Sequence, residues 1–95
     1  MLITELRGHE GEVNALDCHP YNLNVLLSGD ADGRLLIWDI IEGEVTKSFL
    51  DLNEGQELGA VFDARWNSSG STIAATDSDG HLSIYGIGTT NNFTV

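Results

Sequence analysis

The chain contains few of the residues that characterise disulfide scaffolds, nucleic-acid binders and membrane proteins. Its 95 residues include one cysteine, one proline and only four lysines and arginines together. Because Cys18 is alone, no internal disulfide can form, and a reducing, intracellular compartment is the simplest expectation. No apolar run approaches the roughly 20 residues that a membrane-spanning helix needs. These absences leave a domain that must be held together by its own core.

Acidic residues greatly outnumber basic residues in the sequence. Fifteen aspartates and glutamates give a formal net charge of −11. Such a chain repels phosphate backbones, so we expect no direct binding of nucleic acid. It would attract partners that are rich in lysine and arginine. The alternative is that the charge only keeps a sheet-rich protein in solution.

One stretch of the sequence occurs twice. The residues Asp-Ala-Asp-Gly at 30–33 recur as Asp-Ser-Asp-Gly at 77–80, an offset of 47 residues. Each copy is followed by a mostly apolar run that ends in an aromatic residue, Trp38 or Tyr85. A period a little above 40, with Gly-His at 8–9 near the start and Trp-Asp near the end, is typical of β-propeller blades.

The coarse pattern predicts an all-β fold. Short apolar or alternating segments are separated by turns rich in glycine, aspartate, asparagine and serine, and none has a helical period. We expect eight antiparallel strands that form two blade equivalents. They are residues 2–7, 12–18, 24–29, 34–40, 44–50, 60–66, 71–76 and 81–87. In the second of these strands, Val13, Ala15 and Leu16 are expected to point inward.

Residues 6–40 resemble a WD repeat. The resemblance implies a hydrogen-bonded tetrad of His9, Ser28, Asp32 and Trp38. Its chemistry is coherent, because an indole only donates, a hydroxyl accepts and donates, and an imidazole can accept from it while donating to a carboxylate. The alternative is an ordinary loop histidine and an ordinary core tryptophan.

The second copy departs from this pattern. Ala75 stands at the serine position, Tyr85 at the tryptophan position, and no histidine is available near Glu57, so the tetrad cannot form. We expect this blade to depend on apolar packing instead. The residues expected to provide it are Val61, Phe62, Ile73, Ile84 and Tyr85.

A narrower resemblance covers most of residues 6–88. The runs Gly-Ala-Val-Phe-Asp at 59–63, Thr-Asp-Ser at 76–78 and Gly-His-Leu at 80–82 look like the last blades of the bromodomain-and-WD-repeat proteins, the group of the pleckstrin-homology-domain-interacting protein. That resemblance implies a nuclear, chromatin-associated protein. It also suggests adaptor service in cullin–RING ubiquitin ligases, which often uses an arginine two residues after the Trp-Asp pair, where this chain has Ile41.

The WD-repeat scheme divides the chain into four parts. Residues 1–7 would be the outer strand of a neighbouring blade, 8–50 a complete blade, 51–88 a degenerate three-stranded blade, and 89–95 an irregular tail. Two blades cannot close a ring, because propellers need roughly 4–8. We therefore expect part of a larger propeller or a protomer that assembles with further blades or copies, rather than a stable monomer.

Catalytic and metal-binding interpretations are weaker. The Asp-x-Asp-Gly turns resemble the opening of a calcium loop, but no glutamate follows at the required distance. The histidines and Cys18 lack the paired spacing of zinc ligands. Ser28, His9 and Asp32 could act as nucleophile, base and orienting carboxylate, but the implied bond to Trp38 makes them structural. We expect no enzyme activity, no metal and no cofactor.

Loops displayed by rigid blades are typical of a protein-interaction scaffold. An acidic set in these loops would suit a basic peptide or protein, and the connection 51–58 is the expected specificity element. The candidate partner contacts are Glu10, Asp30, Glu54, Glu57 and Asp77. The alternative function is purely structural, with these blades completing a larger propeller whose other blades bind the partner.

Overall fold

The computed structural model describes residues 1–2, 4–50 and 59–87, and within them all regular structure is β-strand. Seven antiparallel strands form a four-stranded sheet with the order β1-β2-β3-β4 and a three-stranded sheet with the order β5-β6-β7. The strands are β1 (Val13–Cys18), β2 (Val25–Asp30), β3 (Arg34–Asp39), β4 (Glu44–Leu50), β5 (Val61–Trp66), β6 (Thr72–Asp77) and β7 (Leu82–Gly86). In this part of the chain, no helix has the length and apolar character to cross a membrane.

The repeated Asp-x-Asp-Gly sequence forms the same tight turn in both sheets. It joins β2 to β3 and β6 to β7, and it reverses the chain through Gly33 and Gly80, whose φ angles are 84° and 85°. Only glycine adopts such angles without strain. The repeat therefore marks two equivalent hairpins, as the sequence predicts.

The all-β prediction is confirmed, but the described residues form seven strands and not the expected eight. The expected strand at residues 2–7 is not formed among the residues that the structure describes there. A strand is stabilised by the hydrogen-bond ladder with its neighbour, and the described chain places no neighbour beside this segment. The connection 51–58 and the tail 89–95 lie outside the described residues.

The hydrophobic core lies between the two sheets. Side chains alternate across each strand, so one face of the first sheet packs against one face of the second. Leu27 on β2 and Ile73 on β6 are completely buried. Phe49 and Tyr85 extend this contact with ring centroids 5.1 Å apart. The core residues are Ala15, Leu27, Leu35, Ile37, Val61, Ala64, Ile73 and Ala75.

Two expectations about inward-pointing residues are wrong. Val13 and Leu16 are exposed although Ala15 is buried, and Phe62 and Ile84 are 63% and 57% exposed. Register shifts at the starts of β1 and β5 change the alternation there. Ile84 follows the strict two-residue period of β7 and lies on the face opposite Tyr85.

Polar contacts also join the two sheets. The backbone N–H of Trp66 donates to Asp17 Oδ2 at 2.8 Å, and its indole Nε1 donates to the Asp17 carbonyl at 3.3 Å. His19 lies edge-on to Trp66, with ring centroids 4.6 Å apart. Its Nδ1 accepts two backbone N–H groups, so Nε2 carries the proton and donates to the Gly70 carbonyl. The sheets are therefore held at a defined position as well as packed.

We predict that Gly29→Ala destabilises this interface. A Cβ at position 29 would lie 2.5 Å from Val61 Cγ1, so the free energy of unfolding should fall by about 1–3 kcal/mol, as for other overpacked cores. Denaturant titration measures the change. The double variant Gly29→Ala/Val61→Ala should lose less than the sum of the single losses, since the shorter side chain makes room. Strict additivity would contradict a direct clash.

Candidate functional site

A continuous chain of hydrogen bonds crosses the first sheet. The indole Nε1 of Trp38 donates to Ser28 Oγ at 2.7 Å. Ser28 Oγ lies 2.5 Å from His9 Nε2, and His9 Nδ1 lies 2.6 Å from Asp30 Oδ2. Because the indole can only donate, Ser28 accepts from Trp38 and donates to His9, which in turn donates to the carboxylate. The structure thus brings together His9, Ser28 and Trp38, three of the four expected members.

The fourth member is Asp30 and not Asp32. Asp30 is two residues after Ser28 on β2, so both side chains lie on the same face of the strand. It is completely buried. Asp32 lies at the apex of the turn and is exposed. The assignment of Asp32 is wrong because the alternation of the strand, which ends at Asp30, decides which carboxylate faces His9.

Asp30 also holds the turn that follows it. Its Oδ1 accepts the backbone N–H groups of Asp32 at 2.9 Å and Arg34 at 3.0 Å. Burial alone would raise the pKa of Asp30, but the hydrogen bonds from Arg34, His9 and Asp32 outweigh it and hold the pKa below its ordinary value of 3.8. The carboxylate is therefore an anion that unites the loop, the strand and the turn.

The second sheet builds the same turn with a local substitute for the missing histidine. Asp77 Oδ1 accepts the backbone N–H groups of Asp79 and His81, each at 2.9 Å. Asp77 Oδ2 faces His81 Nδ1 at 3.1 Å. The backbone bond from His81 is the main cause that lowers the pKa of Asp77, against a smaller opposing effect of burial. Sequence reasoning missed this pair, although His81 stands four residues after Asp77 as Arg34 stands after Asp30.

The residues predicted to contact a partner differ in their exposure. Glu10 is exposed, as a contact residue must be. Asp30 is buried in the tetrad and cannot meet a partner, so its assignment to the partner-binding set is wrong. The side chain of Asp77 is only 9% exposed, because its turn covers it. Glu54 and Glu57 lie outside the described residues.

The polar groups of Ser28 and Asp77 are already engaged in hydrogen bonds within the protein. Ser28 is buried, and its hydroxyl already bonds to an indole and an imidazole, so it is closed to a substrate. The ligand atoms of Asp77, Asp79 and His81 lie within 4.8 Å of one another. Both oxygens of Asp77 are occupied by hydrogen bonds of the turn. These arrangements stabilise structure.

A four-stranded antiparallel sheet with this relay, followed by a second sheet with the same turn, defines a repeat protein of the β-propeller class. Residues 1–39 and 47–86 match the WD40 family, described as "WD domain, G-beta repeat". The chain therefore belongs to the WD-repeat family. WD-repeat propellers generally act as scaffolds for protein interactions.

Known proteins resemble parts of this chain. It is 26% identical over 88% of its length to a bromodomain and WD repeat-containing protein of Dictyostelium discoideum, covering 4% of that protein. It is 30% identical over 84% of its length to the WD repeat-containing protein AAC3 of the same organism, covering 16% of it. ASTRA-associated protein 1 of Penicillium rubens is 42% identical over 70% of the chain, which covers 14% of that protein. The chain thus spans a small part of these relatives.

A solved structure supports the fold. The β-propeller domain of Cps50 (Swd1) from Myceliophteria thermophila superposes with a TM-score of 0.73 at 20% sequence identity. The superposition covers 90% of this chain and 25% of that one. The two sheets are therefore equivalent to a segment of a larger propeller.

We predict that Asp30 and Asp32 respond very differently to the same substitution. Asp30→Asn should lower the free energy of unfolding by about 1.5–3 kcal/mol, the range for hydrogen bonds to charged groups. Asp32→Asn should change it by less than about 0.5 kcal/mol, as expected for an exposed position. Thermal and denaturant unfolding compare the two. Equal losses would show that the relay does not end at Asp30.

Stability should also fall in acid through Asp30. Because its pKa is lower in the folded than in the unfolded chain, its stabilising contribution is complete above the unfolded pKa of about 3.9 and is lost as pH falls through the folded pKa. The difference in unfolding free energy between the original chain and Asp30→Asn should be constant from pH 7 to about 5 and shrink below about 4. Denaturation at a series of pH values measures it. A constant difference down to pH 2 would disagree.

Proposed function

We propose that this chain is a non-catalytic interaction module that binds a basic peptide or protein at one end of its two sheets. The observation that carries the proposal is that the acidic residues at this end fall into two groups, one bonded within the turns and one exposed to solvent. Asp30 and Asp77 are used inside the turns, whereas other carboxylates at the same end are exposed. Those exposed residues are Glu10, Glu12, Asp32 and Asp79.

Contacts within the first sheet place three of these groups together. The N–H of Ala31 donates to the Glu12 carbonyl at 2.8 Å, which joins the loop before β1 to the turn after β2. Gly11 packs so closely on Asp32 that a Cβ there would lie 2.8 Å from Asp32 Oδ2. The loop that carries Glu10 and Glu12 therefore lies beside the carboxylate of Asp32.

The second sheet continues the same surface. The N–H of Ser78 donates to the Ala60 carbonyl at 2.9 Å, and Gly59 lies against Asp79. Gly33 of the first turn and Gly59 line one small groove between the sheets. We name the four exposed residues Glu10, Glu12, Asp32 and Asp79 the acidic end. Its local charge agrees in sign with the net charge of −11, which favours encounter with cationic partners.

The finer context is also part of this proposal. Similarity to a bromodomain and WD repeat-containing protein supports a chromatin-linked, nuclear role, and it makes a lysine-rich, histone-like segment the natural probe. The ubiquitin-ligase role has less support, since Ile41 replaces the arginine that the resemblance would require. Glu54 and Glu57 remain predicted contacts on the connection 51–58.

The test removes charge at either end of the sheets. Glu10→Gln/Asp79→Asn should weaken binding of a Lys/Arg-rich peptide about 3- to 10-fold at low salt, because exposed ion pairs contribute about 0.2–1 kcal/mol each. Glu42→Gln/Glu44→Gln is the matched control. It also removes two exposed charges, but next to the turn after β3, where Ile40 N–H bonds to the Asn24 carbonyl at the opposite end. Titration by fluorescence anisotropy compares the affinities.

If the two double variants weaken binding equally, the peptide is attracted only by the net charge of the chain. The acidic end would then not be a binding site. No measurable binding of the peptide by the original chain would favour the purely structural role, in which these blades support contacts made elsewhere.

A further inference from the structure

We infer that His19 is a proton-sensitive switch between the two sheets, and that it opens in mildly acidic solution. Its imidazole joins two parts of the chain. Nδ1 accepts the backbone N–H groups of Tyr21 at 3.1 Å and Asn22 at 3.0 Å, and Nε2 donates to the Gly70 carbonyl at 3.1 Å. The first two bonds close the turn after β1, and the third reaches the turn after β5 in the other sheet.

These three bonds require the neutral form of the ring. An imidazole nitrogen accepts a hydrogen bond only while it carries no proton, and in the cationic ring both nitrogens are donors. A proton on Nδ1 would point at two N–H groups that also donate. Both bonds to the turn must therefore break before the ring takes up that proton. The closed turn and the cationic ring exclude each other.

The other two histidines can take up a proton and keep their contacts. His9 Nδ1 lies 2.6 Å from Asp30 Oδ2, and its Nε2 faces a serine hydroxyl, which can accept as well as donate. His81 Nδ1 faces Asp77 Oδ2 at 3.1 Å. In both cases a neighbouring carboxylate favours the cationic ring. Of the three histidines in the chain, His19 is the one that accepts backbone N–H groups.

The turn after β3 shows the same pair of bonds with a different acceptor. Asp39 Oδ1 accepts the N–H groups of Ile41 at 2.9 Å and Glu42 at 3.1 Å, which stand two and three residues further on. Nδ1 of His19 accepts from the same two relative positions. An aspartate side chain ordinarily stays ionised down to about pH 5, whereas a free imidazole titrates near pH 6.5. The imidazole therefore makes the turn after β1 sensitive to a pH range that the turn after β3 ignores.

Few charged groups face the imidazole, and none of the carboxylates in the described part of the chain bonds to it. From β1, Asp17 Oδ2 accepts the N–H of Trp66. From the turn after β1, the ring of Tyr21 lies 6.3 Å away, and the turn after β5, residues 67–71, holds no titratable side chain. From β4, Lys47 donates to a carbonyl that borders the same cavity as the imidazole. A second proton on the ring would gain no direct ion pair from these groups.

Opening of the turn loosens one of the contacts between the sheets. The imidazole lies edge-on to Trp66, with ring centroids 4.6 Å apart, and lines an open cavity between the sheets. When the turn releases the ring, this edge contact and the bond to Gly70 lose their support. The bonds from Trp66 to Asp17 do not involve the imidazole. The sheets therefore stay together while the end that carries the switch becomes mobile.

Hydrogen exchange of the full chain, followed by NMR at about pH 7.5 and 5.5, tests the switch within one molecule. The turn should be open in about 10 times as many molecules at the lower pH, because the released imidazole titrates near pH 6.5. The protection factors of the Tyr21 and Asn22 amides, corrected for the intrinsic pH dependence of exchange, should fall by about that factor. The Ile41 and Glu42 amides, held by Asp39, are the matched control and should keep their protection.

The variant His19→Asn supplies an acceptor that does not titrate. An asparagine side chain bonds to the N–H two residues further on, so the turn can close at any pH. The ratio of its unfolding constant to that of the original chain should fall by up to about 10-fold from pH 7.5 to 5.5, because only the original chain must release bonds to bind the proton. His81→Asn is the control. It removes a histidine that faces a carboxylate, so it should lose stability in acid at least as much as the original chain.

Three results would overturn the inference. They are unchanged protection of the two amides in the turn after β1, an equal fall in the turn after β3, and a ratio of unfolding constants that stays the same. The exchange measurement needs no variant, so it decides the question even if His19→Asn fails to fold. Peptide binding by the acidic end plays no part in either measurement.

Discussion

The carboxylate of Asp30 is the group on which the first sheet depends. One oxygen accepts two backbone N–H groups of the following turn, and the other contacts His9 from the loop before β1. Through His9 and Ser28 it reaches the indole of Trp38 on β3. A buried anion is tolerated only when it is fully hydrogen-bonded, so loss of any partner is felt by the whole relay. This rigidity lets the neighbouring loops present exposed charges at fixed positions.

The two sheets reach a similar shape by different means. The first uses a side-chain relay that spans three segments of the chain, whereas in the second the turn carboxylate of Asp77 faces a histidine of its own turn, His81. Apolar contacts and the bonds from Trp66 to Asp17 then join the second sheet to the first. Packing against the first sheet therefore contributes to the stability of the second.

Much of the fold could be predicted from local patterns, because glycine turns and apolar segments act over a few residues. The Asp-Gly turns and the apolar strands β2, β3 and β6 are examples. The errors arise where contacts between residues distant in sequence determine which side chains are buried and which residues pair. Phe62 looks like a core residue but lies at the register shift of β5, and Leu16 directly follows the buried Ala15, so alternation turns it outward. Asp32 has the spacing that the WD-repeat resemblance implies, but Asp30 is the carboxylate that lies on the same face of β2 as Ser28. His81 faces the carboxylate of Asp77 in the second sheet, where no histidine corresponds to His9 of the first.

The contact between His19 and Gly70 has a consequence for the evolution of such blades. The imidazole occupies the space that a Cβ at position 70 would need, and the φ of 74° there disfavours other residues as well. Any homologue with a larger residue at position 70 would have to replace the imidazole with a smaller side chain. Positions 19 and 70 should therefore change together in an alignment, and their covariation would report this contact between the sheets.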